Sequence, residues 1–207
     1  MVCSGKREEN TMTIEELYEL VPEFMLVQDE ILREKCAAVW LEAIQLGGWE
    51  EKGLENLPMA ANLNRQDMPS KGFVHLRMTA RAGAVMTKRC IPWIQKYRDC
   101  TADYVVAGAL LHDVGKFMEL DLTALGMPIY NPQYGQFKHT QSGAYLCKKH
   151  GIPDEIVQGV ANHSTMQTSL TGKTMCPESA LIKGTDLFAV RYFSTGGPDI
   201  GRDMILV

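Results

Sequence analysis

Along this chain apolar residues return at steps of three and four, punctuated by proline, glycine and capping residues, which is the pattern of helices. Thr13 with Glu16 three positions on is a capping-box pattern, and it opens a helix through IEELYEL that Pro22 interrupts. A second helix is predicted over 28–46, closed by Gly47-Gly48. The stretch 50–69 is polar, weakly periodic and carries two prolines, so it reads as a long connection rather than a domain linker. Ser70 is placed to cap a long helix over 71–97, with Pro92 expected to kink or split it. Thr101 opens the next helix, DYVVAGALLHD, which is apolar on nearly every side and hence central, with Gly115 as its stop. Residues 119–135, with two glycines and two prolines, read as loop. Further helices are predicted over 136–150, over DEIVQGVANH with Pro153 at its first turn, and over 178–193. The tail IGRDMILV reads as a short strand or a docked extension, and no internal repeat is visible. The fold class is therefore all-α. A single helical bundle occupies 70–195, a helical extension with its connection occupies 1–69, and a tail occupies 196–207.

The histidines change the picture. His112 and Asp113 stand together at the end of the most apolar helix, where a buried imidazole and carboxylate must both be satisfied. His75 shares a helix face with Met78, Thr79, Ala82 and Met86, and His139 precedes Ser142, Gly143, Leu146 and Cys147 at the same spacings. His163 lies under Val160 and Ile156, and Asp186 sits between Ile182 and Ala189, Val190 and Phe193. Taken alone, a histidine on an apolar face is more often a hydrogen-bonded core residue than a ligand. Six such groups on successive helices instead favour a shared metal site. The fifth histidine, His150 in KKHG, reads as a cation complementing a helix C-terminus.

The ordered series His75, His112-Asp113, His139, His163 and Asp186, with HDVGK inside it, resembles the HD-domain superfamily of metal-dependent phosphohydrolases in its six-ligand, two-metal version. The resemblance covers roughly residues 73–191. It implies an HD-domain helical bundle in which His75, His112, Asp113 and Asp186 hold one metal and Asp113 bridges to a second held by His139 and His163. The cofactors implied are two divalent transition-metal ions, iron foremost, with Mn, Zn, Ni or Co as alternatives. The implied reaction is hydrolysis of a nucleotide or other small phosphate ester by metal-activated water, with Asp113 and Lys116 as catalytic residues and Lys116 reaching the substrate oxyanion. The same ligand series also resembles the mixed-valent diiron oxygenases, which cleave C–H, C–C or C–P bonds of small hydroxylated substrates. A non-catalytic, metal-bound regulatory module is a third reading. The Gly-Tyr-Pro signature of cyclic-di-GMP phosphodiesterases is missing: NHSTMQ stands in that region. Arg77, Arg81, Lys183 and Arg191 read as surface charges before substrate contacts, and Tyr130 and Tyr134 as loop aromatics near the site.

Bulk properties narrow the partners. With 207 residues, 45% hydrophobic and 22% charged, the chain is long enough for a core without staples. A net charge of −4 without a basic run gives no reason to expect nucleic acid or anionic membrane as partner, and the small, phosphorylated substrate is what the HD-domain resemblance implies. Six cysteines at irregular spacing form no CxxC pair, the start MVCSGKREEN has no apolar run, and no window is long enough to span a bilayer. A reduced, cytoplasmic location is the expectation.

Overall fold

A computed structural model describes residues 12–61, 71–164 and 176–194. The capping box of Thr13 forms as its sequence requires: Thr13 Oγ1 accepts from the Glu16 N–H at 3.2 Å and Glu16 Oε2 from the Thr13 N–H at 2.8 Å, starting α1 (Ile14–Leu20). Pro22 then opens a 3₁₀ segment, Pro22–Leu26. Helix α2 (Glu30–Gly47) starts later than position 28 because the Asp29 carboxylate caps it, accepting from Leu32 N–H at 3.0 Å.

After a 3₁₀ turn at Leu54–Asn56 come α3 (Gly72–Ile94) and α4 (Ala102–Leu111). Lys71, not Ser70, stands at the α3 N-cap position, and no side chain caps that end; Ser70 lies outside the described residues, as does the tail 196–207. Helix α3 runs through Pro92 and stops at Ile94, short of the expected 97, since proline denies Lys88 its backbone partner and the helix has little left to gain beyond it. Gly115 is not the stop of α4. That helix ends at Leu111, and Gly115 caps the short α5 (Lys116–Glu119).

The expected loop 119–135 contains a hairpin, β1 (Leu120–Leu122) antiparallel to β2 (Pro128–Tyr130), with Asp121 opposite Ile129. Strands of three residues are too short to show alternation, and a proline at the head of an edge strand masks the pattern further. Helices α6 (His139–Lys149), α7 (Asp154–Asn162) and α8 (Pro177–Ser194) complete the bundle.

Helix α4 is central, as its all-round apolar sequence demands: Val105 through Leu111 are buried, and α2, α3, α7 and α8 pack around it. Gly108 makes part of this possible, because a Cβ there would drive into the Ile182 side chain of α8. Asp186 lies one helical turn beyond Ile182, so this close approach also sets its depth.

Helices α1 and α2 share the same hydrophobic core, with Leu17, Trp40 and Ile44 in one cluster with Leu110, Phe117 and Val160. Trp40 is fully buried, its ring edge-on to Phe24, Phe73 and Phe117 at 5.5, 6.4 and 5.3 Å between centroids. Its indole N–H donates to the Leu110 carbonyl at 2.9 Å, and that of Trp49 to the Phe117 carbonyl at 2.7 Å. Trp40 thus satisfies one of the carbonyls that the end of α4 would otherwise leave orphaned, directly before His112 and Asp113. No helix among the described residues is long and apolar enough to cross a membrane.

Candidate metal centre

His112 and His163 share one local solution. Each stands at the C-cap of its helix, α4 and α7, and turns its Nδ1 back onto the carbonyl three residues earlier: Ala109 at 2.7 Å and Val160 at 2.9 Å. A carbonyl can only accept, so both rings carry a proton on Nδ1, and in its neutral form each turns an Nε2 lone pair inward. His75 enters from the first turn of α3, and His139 is the first residue of α6. Gly115 fixes how near α6 comes, because a Cβ on it would meet the His139 carbonyl and lie 2.6 Å from Ser142 Oγ. The glycine of HDVGK is therefore what lets His139 reach the His-Asp pair.

The six groups converge. His75 Nε2 lies 3.1 Å from His112 Nε2, 3.0 Å from Asp186 Oδ1 and 3.5 Å from Asp113 Oδ2. His112 Nε2 is 3.3 Å from Asp113 Oδ2 and 3.7 Å from Asp186 Oδ1. On the other side, Asp113 Oδ1 faces His163 Nε2 at 3.3 Å and His139 Nε2 at 3.4 Å. His75, His112, Asp113 and His163 are buried, while the side chains of His139 and Asp186 keep 20% and 17% of their surface exposed. Solvent therefore reaches the cluster from that side.

The residues fit a metal. Asp113 Oδ1 is buried with no well-formed hydrogen bond, although the imidazole nitrogens of His163 and His139 lie 3.3 and 3.4 Å from it. An ionised carboxylate left in that state is costly, and a cation among these lone pairs would relieve it. His75 with His112 and Asp113, His112 with His163 and Asp186, and Asp113 with His139 and His163 each bring three ligand atoms within 4.8 Å of one another.

The family model of the HD domain matches residues 73–190, more than half of the chain. This chain is an HD-domain protein. No curated protein and no solved structure matches it. HD domains bind divalent metals, which agrees with the donor set gathered here.

The electrostatics of the HD site follow from burial and charge. Burial pulls the pKa values of His75 and His163 below the ordinary imidazole range, against the opposing pull of Asp186 and Asp113, respectively, so both rings favour the neutral form that can donate a lone pair. Burial acts the same way on His112, but the Asp113 and Asp186 carboxylates outweigh it and the net shift is upward. Burial also opposes ionisation of Asp113, yet Lys116, His112 and His163 hold its carboxyl well below the usual range. Asp186 is lowered in the same sense, because His75 and His112 outweigh its desolvation.

Lys116 is buried, and its Nζ sits 2.7 Å from Asp113 Oδ2 and 3.6 Å from Met59 Sδ. Arg77 and Arg81 correct the reading of them as surface charges. Both are buried on α3, where they clamp Glu23 of the N-terminal segment. Arg191 is exposed and Lys183 half-buried on α8. Tyr130 is exposed on the hairpin, whereas Tyr134 packs against the core. His150 caps α6 as expected but also meets Glu42 of α2 at 2.6 Å.

Sequence reasoning missed Glu119. Its Oε2 accepts from His139 twice, from ring Nδ1 at 2.6 Å and from the backbone N–H at 3.1 Å. A lone carboxylate within the apolar run FMEL was the available signal, and nothing in it names His139 as the partner.

Proposed function

We propose that this protein is a metal-dependent phosphohydrolase acting on a nucleotide or other small phosphate ester. Two divalent transition-metal ions would be held by His75, His112, Asp113, His139, His163 and Asp186, with iron foremost and Mn, Zn, Ni or Co as alternatives. The observation that carries the reading is the division of labour at Asp113. Its Oδ2 faces His75 and His112 while the unpartnered Oδ1 faces His139 and His163, the arrangement of a carboxylate serving two ions. When bound, a pair of such ions polarises phosphoryl oxygens and lowers the pKa of water towards neutrality.

The chain's own groups supply the rest. The Nδ1–H bonds of His112 and His163 lock both rings with their lone pairs inward, so no reorganisation is needed at the moment of reaction. Lys116, beside Asp113, places an ammonium where the charge of a phosphoryl oxygen would be stabilised. The exposed flank at His139 and Asp186 is the route by which a phosphate ester would enter. A net charge of −4 without a basic run supports a small-molecule substrate over nucleic acid.

The test is anaerobic purification with metal analysis, then assay of phosphate release from nucleoside monophosphates and simple phosphate esters with each metal in turn. Metal-dependent phosphate release, lost together with bound metal in Asp113→Ala, is expected. Two irons with a mixed-valent EPR signal and O2 uptake, without phosphate release, would replace hydrolysis by oxygenation. A protein that binds no metal under any loading condition would remove the site.

A further inference from the structure

The four imidazoles of the cluster are not backed alike. His112 and His163 donate their Nδ1–H to neutral backbone carbonyls, and His75 Nδ1 is buried without a partner. Among these rings His139 alone has a carboxylate behind it, and Glu119 is built to stay there. The Glu119 backbone N–H donates to the Gly115 carbonyl at 2.9 Å, its own carbonyl accepts from Asn131 N–H at 2.9 Å, and its side chain keeps 14% exposure. It is thus held between the turn that carries Asp113 and the end of the hairpin, at the joint that aims α6.

Given the two-ion reading above, on which this rests, we infer that Glu119 is a positioning residue that makes the two metal pockets unequal. An acid that accepts the Nδ1–H of a ligating histidine fixes the ring and raises the basicity of its Nε2, the more so in a partly buried setting. The pocket beside Asp113 Oδ1, formed with His139 and His163, therefore receives charge-backed donation. The pocket beside Oδ2, formed with His75, His112 and Asp186, does not receive it through any imidazole. Removing the Glu119 charge should weaken the first pocket and spare the second.

A plain structural alternative exists, because the same oxygen accepts the first backbone N–H of α6 and would stabilise that helix end whatever is bound nearby. Glu119→Gln separates the two, since the amide keeps an oxygen acceptor and loses the charge. The experiment titrates Co(II) alone into wild type, Glu119→Gln, Glu119→Ala and His139→Ala, reading calorimetry and the visible ligand-field bands, with thermal unfolding of each metal-free protein alongside. The expected result is two equivalents in wild type. One of them should be weakened about 10–100-fold in Glu119→Ala and by less in Glu119→Gln. The bands of that equivalent should shift in Glu119→Gln, with the weakened equivalent the one abolished by His139→Ala. Two equivalents at wild-type affinity with unchanged bands in both Glu119 variants overturn the inference. So does equal weakening of both equivalents in step with lost metal-free stability. Failure of wild type to take up two equivalents would instead strike the two-ion reading itself.

Discussion

Helix α3 carries two buried charge clusters that behave in opposite ways. On one face Arg77 gives Glu23 two hydrogen bonds, Nε to Oε2 at 2.8 Å and Nη2 to Oε1 at 3.1 Å, and Arg81 adds contacts to Oε1 at 2.5 Å. No side-chain polar atom of these three residues is left buried without a partner. On the other face His75 joins a cluster in which Asp113 Oδ1 and His75 Nδ1 are both buried and unsatisfied. The first cluster is closed: protein groups meet every demand, and its job is to tie the N-terminal segment to the bundle. The second is open: imidazole and carboxylate lone pairs converge on one another, and the Lys116 ammonium answers Asp113 Oδ2 while leaving Oδ1 without a partner. Buried charge alone therefore does not mark a site. Incomplete satisfaction among converging metal-capable side chains does.

The contrast can be broken or sharpened by substitution. The largest effect is expected from Asp113→Ala, which should strip metal and reduce turnover to background while the metal-free fold survives, as metal analysis and far-UV circular dichroism would show. Glu23→Ala should do the reverse. It strands two buried guanidinium groups at a cost of about 3–5 kcal/mol in urea unfolding, while the folded fraction keeps its metal. Replacing all three by apolar residues (Glu23→Leu, Arg77→Met, Arg81→Met) should recover most of that loss; failure to recover would mean that the closed cluster does more than hold the segment.

Trp40→Phe tests how the extension supports the open cluster. It leaves the Leu110 carbonyl buried and unpaired, and about 1–3 kcal/mol of stability should go with it. Metal affinity should fall as well, because His112 and Asp113 hang on that helix end; unchanged affinity would show that the site is held from elsewhere.

The smallest effect belongs to a charge cluster nearer the surface. Glu42 is approached by Lys149 Nζ at 2.5 Å and His150 Nε2 at 2.6 Å. Burial raises its pKa, but the bonds from Lys149 and His150 outweigh it and the net shift is below the ordinary 4.5. A lowered folded pKa means that ionised Glu42 stabilises the fold above its ordinary range, and that this contribution disappears as pH falls through the lowered value. Glu42→Gln should therefore unfold slightly earlier than wild type at neutral pH, and the two melting curves should merge in acid. A gap that widened in acid would reverse the assignment.

Much of the site was legible because its parts are local statements repeated along the chain. A histidine or aspartate on an apolar helix face is visible at each of His75, His139 and Asp186, and the HDVGK run is visible by itself. The misread positions share a physical cause. Arg77 and Arg81 look like any helix arginines until Glu23, 54 and 58 positions away, lies across them. Glu119 gains its meaning only when α6 delivers His139 to it, and Gly115 looks like a helix stop until the His139 carbonyl comes to rest against it.

Sequence by itself determined the longer helices, the central place of α4 and the identity of the groups that meet at its end, since period, polarity and capping are properties of neighbouring residues. Only the tertiary structure decided which oxygen of Asp113 faces which imidazoles, which ring has a carboxylate behind it, and which buried charges are already neutralised. Those are distances between segments far apart in the chain, and they are set by how closely helices pack, which no local pattern encodes.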